Sequence, residues 1–252
     1  MKKFLVFVSL IFVCSICLAR TINVAWKVDG NTYASNTCEY GGTLTVPSTQ
    51  PTKYGYTFQG WAPYTPIEYL ESTGTQYIDT GVVFDTGSLK FQALFYIKQI
   101  INGENDFIGT LKTGGSSDGF CCGTYQEGTI FLFSRPVNVH LSNIQTGAWY
   151  DIIGEFNNNT MSLYVNGSLI DFGTRNSFYS SEHIILFMGG NGYMPLNTYQ
   201  KLGSVKIWSN NILVRDFIPV LTPDGTPCMY DKVTNRYFYN QGTGQFVAGP
   251  VL

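Results

Sequence analysis

Leu89-Lys90-Phe91-Gln92-Ala93-Leu94-Phe95-Tyr96-Ile97 carries an apolar residue at every odd position. Successive side chains on a strand point to opposite faces, so this alternation predicts a β-strand with one face buried. Residues 130–133, 149–156, 161–165, 184–188, 202–208 and 212–220 follow at strand-like spacing, with Gly, Asn or Ser between them. Asn166-Gly167, between residues 161–165 and 168–170, is the pair a type I′ turn needs, because both central residues take φ > 0. No helical period competes, and the expectation is an all-β chain with a sandwich or jelly roll over residues 67–252.

Composition agrees. The 252 residues include 27 Gly, 15% aromatics and only 13% charged residues, too ring-rich for disorder and too turn-rich for a helical bundle. Lys and Arg number 15 against 17 Asp and Glu, with no basic block to neutralise phosphates. Nucleic acid is therefore excluded as an expected partner.

Lys2 and Lys3 precede an apolar run over residues 4–18 that ends in Cys17-Leu18-Ala19. Charge, apolar stretch and small residues in that order predict a secretory signal peptide over residues 1–19, with the mature chain starting at Arg20. An uncleaved anchor is the alternative, but the run is shorter than the ~20 residues a span needs. No later segment is long and apolar enough to span, so no transmembrane anchor is expected after cleavage. Cys14-Ser15-Ile16-Cys17 matches C-x-x-C only inside the segment to be removed. Cys38, Cys121, Cys122 and Cys228 remain, too widely separated for a zinc knuckle. Disulfide pairing and buried thiols both stay open for them. Cys121 and Cys122 are neighbours on a strand, so one bridge cannot easily use both.

Between the leader and the long alternating strand, Asp29-Gly30-Asn31 reads as a turn and residues 43–46 as a short strand running into Pro47. Gly55-Tyr56-Thr57-Phe58-Gln59-Gly60-Trp61 reads as a core anchor: Tyr56 and Phe58 share a face, and the glycines allow bends that fold Trp61 back on a small sheet. With residues 24–30, 42–47 and 51–61 in order, this stretch resembles the internalin B-type, or Listeria and Bacteroides, repeat. The resemblance implies a small β-grasp-like module of a bacterial surface protein over residues 20–66. Ala62-Pro63-Tyr64-Thr65-Pro66 is the expected boundary, since two prolines break strand pairing.

Residues 147–156, then 161–169 with Leu163-Tyr164-Val165-Asn166-Gly167, then 186–190, resemble the laminin G-like, concanavalin A-like jelly roll. Residues 67–81 and the tail from 214 to 246 resemble the ends of a version found in gut-bacterial surface proteins. The resemblance implies the fold and a surface context.

Such folds include glycosidases, so carboxylates come first. Asp151 and Glu155 share a strand face but stand about 13 Å apart at 3.3 Å per residue, against about 5 Å for a retaining pair. They read as a solvated face. His140 and His183 lack a G-x-S-x-G partner and read as edge histidines. Asp79, Asp85, Glu104, Asn105, Asp106 and Asp118 offer oxygens for calcium, but no D-x-D-x-D-G loop gathers them, and no cofactor is expected. Sugars stack on exposed rings near Asn, Asp or Gln, and Tyr96, Trp208, Tyr193 and Tyr237 are the ring candidates, although each reads more simply as packing. The expectation is a secreted or cell-surface recognition protein for glycan or an envelope or host protein, without catalysis and with no ligand-binding residue assigned. A structural passenger domain and a degenerate glycosidase are the alternatives.

Overall fold

A computed structural model of the chain describes residues 2–11, 21–29, 31–39, 43–84, 87–100, 103–110, 119–125, 128–134, 136–157, 159–174, 180–187 and 200–252, with residues 2–11 and Gln59 described by backbone alone. Every regular element among them is a β-strand. No helix among the described residues is long and apolar enough to cross a membrane. Two compact units are present: residues 1–67 with 220–226 and 251–252, and residues 68–219 with 227–250.

The first unit holds β1 (Lys2–Ile11), β2 (Thr21–Val28), β3 (Asn31–Glu39) and β4 (Tyr56–Ala62) in the order β3-β2-β1-β4. β2 and β3 form a hairpin that turns at Asp29, whose φ is 49°. β1 lies antiparallel to β2 and parallel to β4. The expected cleavage point after Ala19 lies outside the described residues. Val24 and Trp26 form the buried centre, with Ile22, Ala34, Cys38 and Trp61 against them. The ring of Trp61 meets Trp26 edge-on at 4.9 Å and Phe58 at 5.5 Å. Gly55 (φ 78°) and Gly60 (φ 116°) supply the left-handed backbone that this return requires.

Residues 43–47 join no ladder, contrary to the strand expected over residues 43–46. A side chain takes the place of a partner strand: Asn36 Nδ2 donates to the Thr45 carbonyl at 2.7 Å. Pro47, which has no N–H to offer a ladder, closes the segment. Later in the chain, Val220 and Leu221 pair with Pro66 and Thr65.

The second unit has two sheets. One runs β12 (Val137–Leu141), β11 (Thr129–Ser134), β10 (Cys121–Tyr125), β9 (Asn105–Thr110), β16 (Ser180–Leu186), β7 (Ile78–Phe84). The other runs β15 (Ser168–Thr174), β14 (Thr160–Val165), β13 (Ala148–Asn157), β8 (Leu89–Ile97), β17 (Lys201–Ser209), β18 (Ile212–Leu221), β19 (Pro227–Asp231), β20 (Arg236–Phe238), with β6 (Leu70–Glu71) pairing β17 and β21 (Val247–Ala248) pairing β6. The alternating stretch is β8 over the expected residues, and it sits at the centre of this sheet, between β13 and β17. Asn166 (φ 50°) and Gly167 (φ 80°) turn β14 into β15, as the Asn-Gly pair predicts.

The core is a file of rings. Phe91 and Phe95 of β8 meet Phe107 of β9 at 6.3 and 4.5 Å. Phe120 stacks on Phe91 at 5.7 Å and reaches Phe156 of β13 at 5.0 Å, and Phe156 meets Phe84 of β7 at 5.6 Å. All six rings are buried. On the opposite face of the six-stranded sheet, Cys121, Phe131 and Ile185 form a smaller cluster with Tyr77 and Phe133.

Among the described residues no disulfide joins Cys38, Cys121, Cys122 and Cys228. Burial pushes the Cys122 thiol well up, and the Asp106 charge adds to this against a hydrogen bond from the Gly123 backbone. It stays a neutral thiol, poorly suited to exchange.

Candidate functional site

The alternation that turns Phe91, Phe95 and Phe156 inward turns the other residues of the same strands outward. On β8 these are Lys90, Gln92, Leu94 and Tyr96, and on β13 Trp149, Asp151, Ile153 and Glu155, none of them buried. Hairpin register brings β14 alongside: Glu155 pairs with Ser162, Ile153 with Tyr164 and Asn157 with Thr160.

A groove of about 510 Å³ results, lined by Glu155, Asn157, Asn159, Thr160, Ser162 and Tyr164. Its volume falls within the range of small-molecule sites. The lining supplies one carboxylate, two amides, two aliphatic hydroxyls and one phenol ring, so donors and acceptors stand in one groove with an apolar plate. Phe172 of β15, paired with Ser162, continues the face and is 63% exposed. A small adjoining cleft joins Glu155 and Asn157 to Ser88, Lys90 and Asn211.

At the far end of β13 the face becomes aromatic. Trp149 lies 5.2 Å from Tyr96 and 6.0 Å from Tyr69, ring centroid to centroid. Lys201 of β17 places its ammonium 4.2 Å from the Tyr69 ring centroid and 5.0 Å from that of Tyr96. It also donates to the Tyr69 hydroxyl at 3.1 Å. Glu71 accepts from Lys98 at 2.7 Å and stands 3.7 Å from Lys201. Partial burial works against the Lys201 charge, but the Tyr69 hydrogen bond and the charges of Tyr69, Glu71 and Tyr96 outweigh it and raise its pKa above the usual lysine value. A raised lysine pKa stabilises the fold fully below the unfolded value of 10.5, and that contribution fades as pH rises through the higher folded value. Alkaline titration into that range should therefore loosen this corner and change Trp149 fluorescence, while Lys201→Met should abolish the transition. A transition of the same size in the variant would refute the assignment.

Between the two ends, Gln92 Nε2 donates to both oxygens of Asp151 at 2.9 Å. Asp151 and Glu155 share the face of β13 at the spacing that separates them by about 13 Å. The structure does not bring them together as a pair. His183 Nδ1 meets Asp79 Oδ2 at 2.9 Å in an exposed setting, and the His140 backbone N–H donates to Asp171 at 3.3 Å. Trp208 sits under Lys90, with Nζ 5.5 Å from the ring centroid, and Tyr237 packs on Tyr230 at 5.3 Å. Tyr193, Asp85 and Asp118 lie outside the described residues. Asn105 and Asp106, read as loop oxygens, are buried in β9. The described residues gather no group of three His, Cys, Asp or Glu side chains that could hold a metal.

Of the expected rings, only Tyr96 joins a cluster on the groove's face at the far end of β13. Its partners Tyr69 and Trp149, and the groove residues Asn157, Asn159 and Tyr164, escaped the sequence reading. Trp149 was within reach, because period two from Glu155 places it on the same face.

Residues 23–83 match the Listeria-Bacteroides repeat domain, so the repeat expected from residues 55–61 is present. No curated protein matches the chain in sequence. A Bacteroides ovatus protein described as carbohydrate binding is similar in structure, with TM-score 0.50 and 12% identity over 92% of this chain and 69% of its own. The heptameric SAP-like pentraxin of Limulus polyphemus gives 0.46 and 10%, over 75% and 94%. The CBM40 of the Ruminococcus gnavus IT-sialidase, bound to α2,3-sialyllactose, gives 0.40 and 12%, over 54% and 87%. At 12% identity the likeness to the Bacteroides ovatus protein is one of fold alone.

Proposed function

We propose that the chain is an exported bacterial recognition protein that binds glycan, without catalysis, through the outward face of β13 and β14. In this reading the leader is cleaved after Ala19 and the second unit is a laminin G-like, concanavalin A-like jelly roll. The observation that carries the reading is the groove itself, where the Tyr164 ring lies among Glu155, Asn157, Asn159, Thr160 and Ser162. A pyranose presents both an apolar C–H face and a ring of hydroxyls, and this lining offers a partner to each. The Bacteroides ovatus protein of the same fold is described as binding carbohydrate, which is the same chemistry.

The test is a glycan array probed with purified protein, with and without added calcium, beside Tyr164→Ala. Retention of a defined glycan set is expected, unchanged by calcium and weakened about tenfold by the substitution, the equivalent of ~1.4 kcal/mol. No retention of any glycan, or retention indifferent to Tyr164→Ala, would overturn the reading. Turnover of a bound glycan that Glu155→Gln abolishes would make the site catalytic instead.

A further inference from the structure

The groove and the aromatic corner lie on one face of one strand. Glu155 borders the first and Trp149 belongs to the second, six residues apart on β13, or about 20 Å at the rise of a strand. The residues between them on that face, Asp151 and Ile153, are half-buried and form the strip that joins the two ends. Asp151 accepts from Gln92 Nε2 at both of its oxygens.

From this geometry we infer that the site takes a neutral, linear oligosaccharide laid along β13, seated at one end in the groove and at the other on Trp149, which Tyr69 and Tyr96 buttress. This rests on the glycan reading above and specifies its ligand.

Charge selects the neutral class. Lys98 and Lys201 share Glu71, Lys90 stands opposite Glu155 in register and over the Trp208 ring, Lys206 stands opposite Asp216, and Asp151 accepts from Gln92. Among the described residues these four ammoniums are matched by four carboxylates, which leaves no surplus positive charge on this face to hold an acidic sugar. Ring placement selects the extended form. A short saccharide in the groove cannot reach Trp149 about 20 Å away, whereas a longer chain gains a second stacking contact without a second loss of translational freedom. The corner is built to stay in place: Gly249 lies so close to Tyr69 that a Cβ there would come within 2.9 Å of the ring. The Lys201 hydrogen bond fixes the Tyr69 hydroxyl.

The experiment is calorimetric titration of the full chain with neutral linear gluco-, manno- and xylo-oligosaccharides, from disaccharide to hexasaccharide. For the series that binds, affinity is expected to rise with length and then level off once the strip is filled. Trp149→Ala should reduce hexasaccharide affinity about tenfold, the loss of one stacked ring, and leave disaccharide affinity unchanged. Trp149→Phe, which keeps a ring and tests for misfolding, should retain most of the length gain. Tyr164→Ala should weaken short and long ligands alike. Disaccharide binding with no gain in length, or a Trp149→Ala loss equal at every length, would overturn this inference and leave the glycan reading intact. Binding confined to sialylated or uronic acid glycans would overturn the neutral class. Failure of every saccharide would remove both.

Discussion

Replacing Phe91 with alanine is expected to destabilise the second unit by about 3–5 kcal/mol, the cost of emptying a large buried ring site. For a unit of this size that corresponds to a fall in melting temperature of roughly 6–20 °C. Phe91 is fully buried, stacks on Phe120 at 5.7 Å and meets Phe107 at 6.3 Å, so its loss breaks the file of rings in the middle. The same spot is also intolerant of addition. Gly154 pairs with Phe91 across β13 and β8, and a Cβ there would stand 2.3 Å from the Phe91 ring, so Gly154→Val should destabilise by overpacking. Thermal melts followed by circular dichroism would measure both. A Phe91→Ala loss below about 1 kcal/mol would mean that the sandwich does not close over this ring.

Trp26→Ala should unfold the small first unit outright while sparing the second. Trp26 is its largest buried side chain, with Trp61 against it at 4.9 Å and its Nε1–H donating to Asn36 Oδ1 at 3.0 Å. About 3–5 kcal/mol is again at stake, but a module this small has little reserve to lose. Hydrogen exchange should show loss of protection over Thr21–Val28 and Asn31–Glu39, with protection over Leu89–Ile97 unchanged. Retained protection in β2 would mean that the first sheet is held by something other than its tryptophans.

These expectations separate what is legible in the chain from what is not. β8 and β13 are legible because each has one face in the core and one outside it, which writes alternation into the sequence. β9 is not: Asn105-Asp106-Phe107-Ile108-Gly109-Thr110 has no period, yet every residue of it is buried in the middle of its sheet. Two of its polar side chains are answered by partners outside the strand, with Gln200 Nε2 donating to Asn105 Oδ1 and Thr110 Oγ1 accepting from the Phe120 backbone. Residues 43–47 fail in the opposite sense, since a strand-like sequence found a side chain where it needed a strand. The groove was hidden for a third reason. Asn157 and Asn159 read as turn formers and Tyr164 as part of a motif, and only the register of the β13–β14 hairpin sets all three around Glu155. The aromatic corner joins Tyr96, Trp149 and Lys201 from three strands to Tyr69 just before β6, a meeting that local pattern does not encode.

The proposed cleavage after Ala19 would reach into the first sheet. β1 runs between β2 and β4, pairing residues 7–11 with β2 and residues 2–7 with β4. Cleavage after Ala19 would withdraw that middle strand, and the N–H and C=O groups facing it on both neighbours would have to find new partners or water. The precursor and the processed chain would then hold different sheets from the same repeat. The leader would act as a removable placeholder between β2 and β4, with the edge contact between Trp26 and Trp61 left to join the two sides.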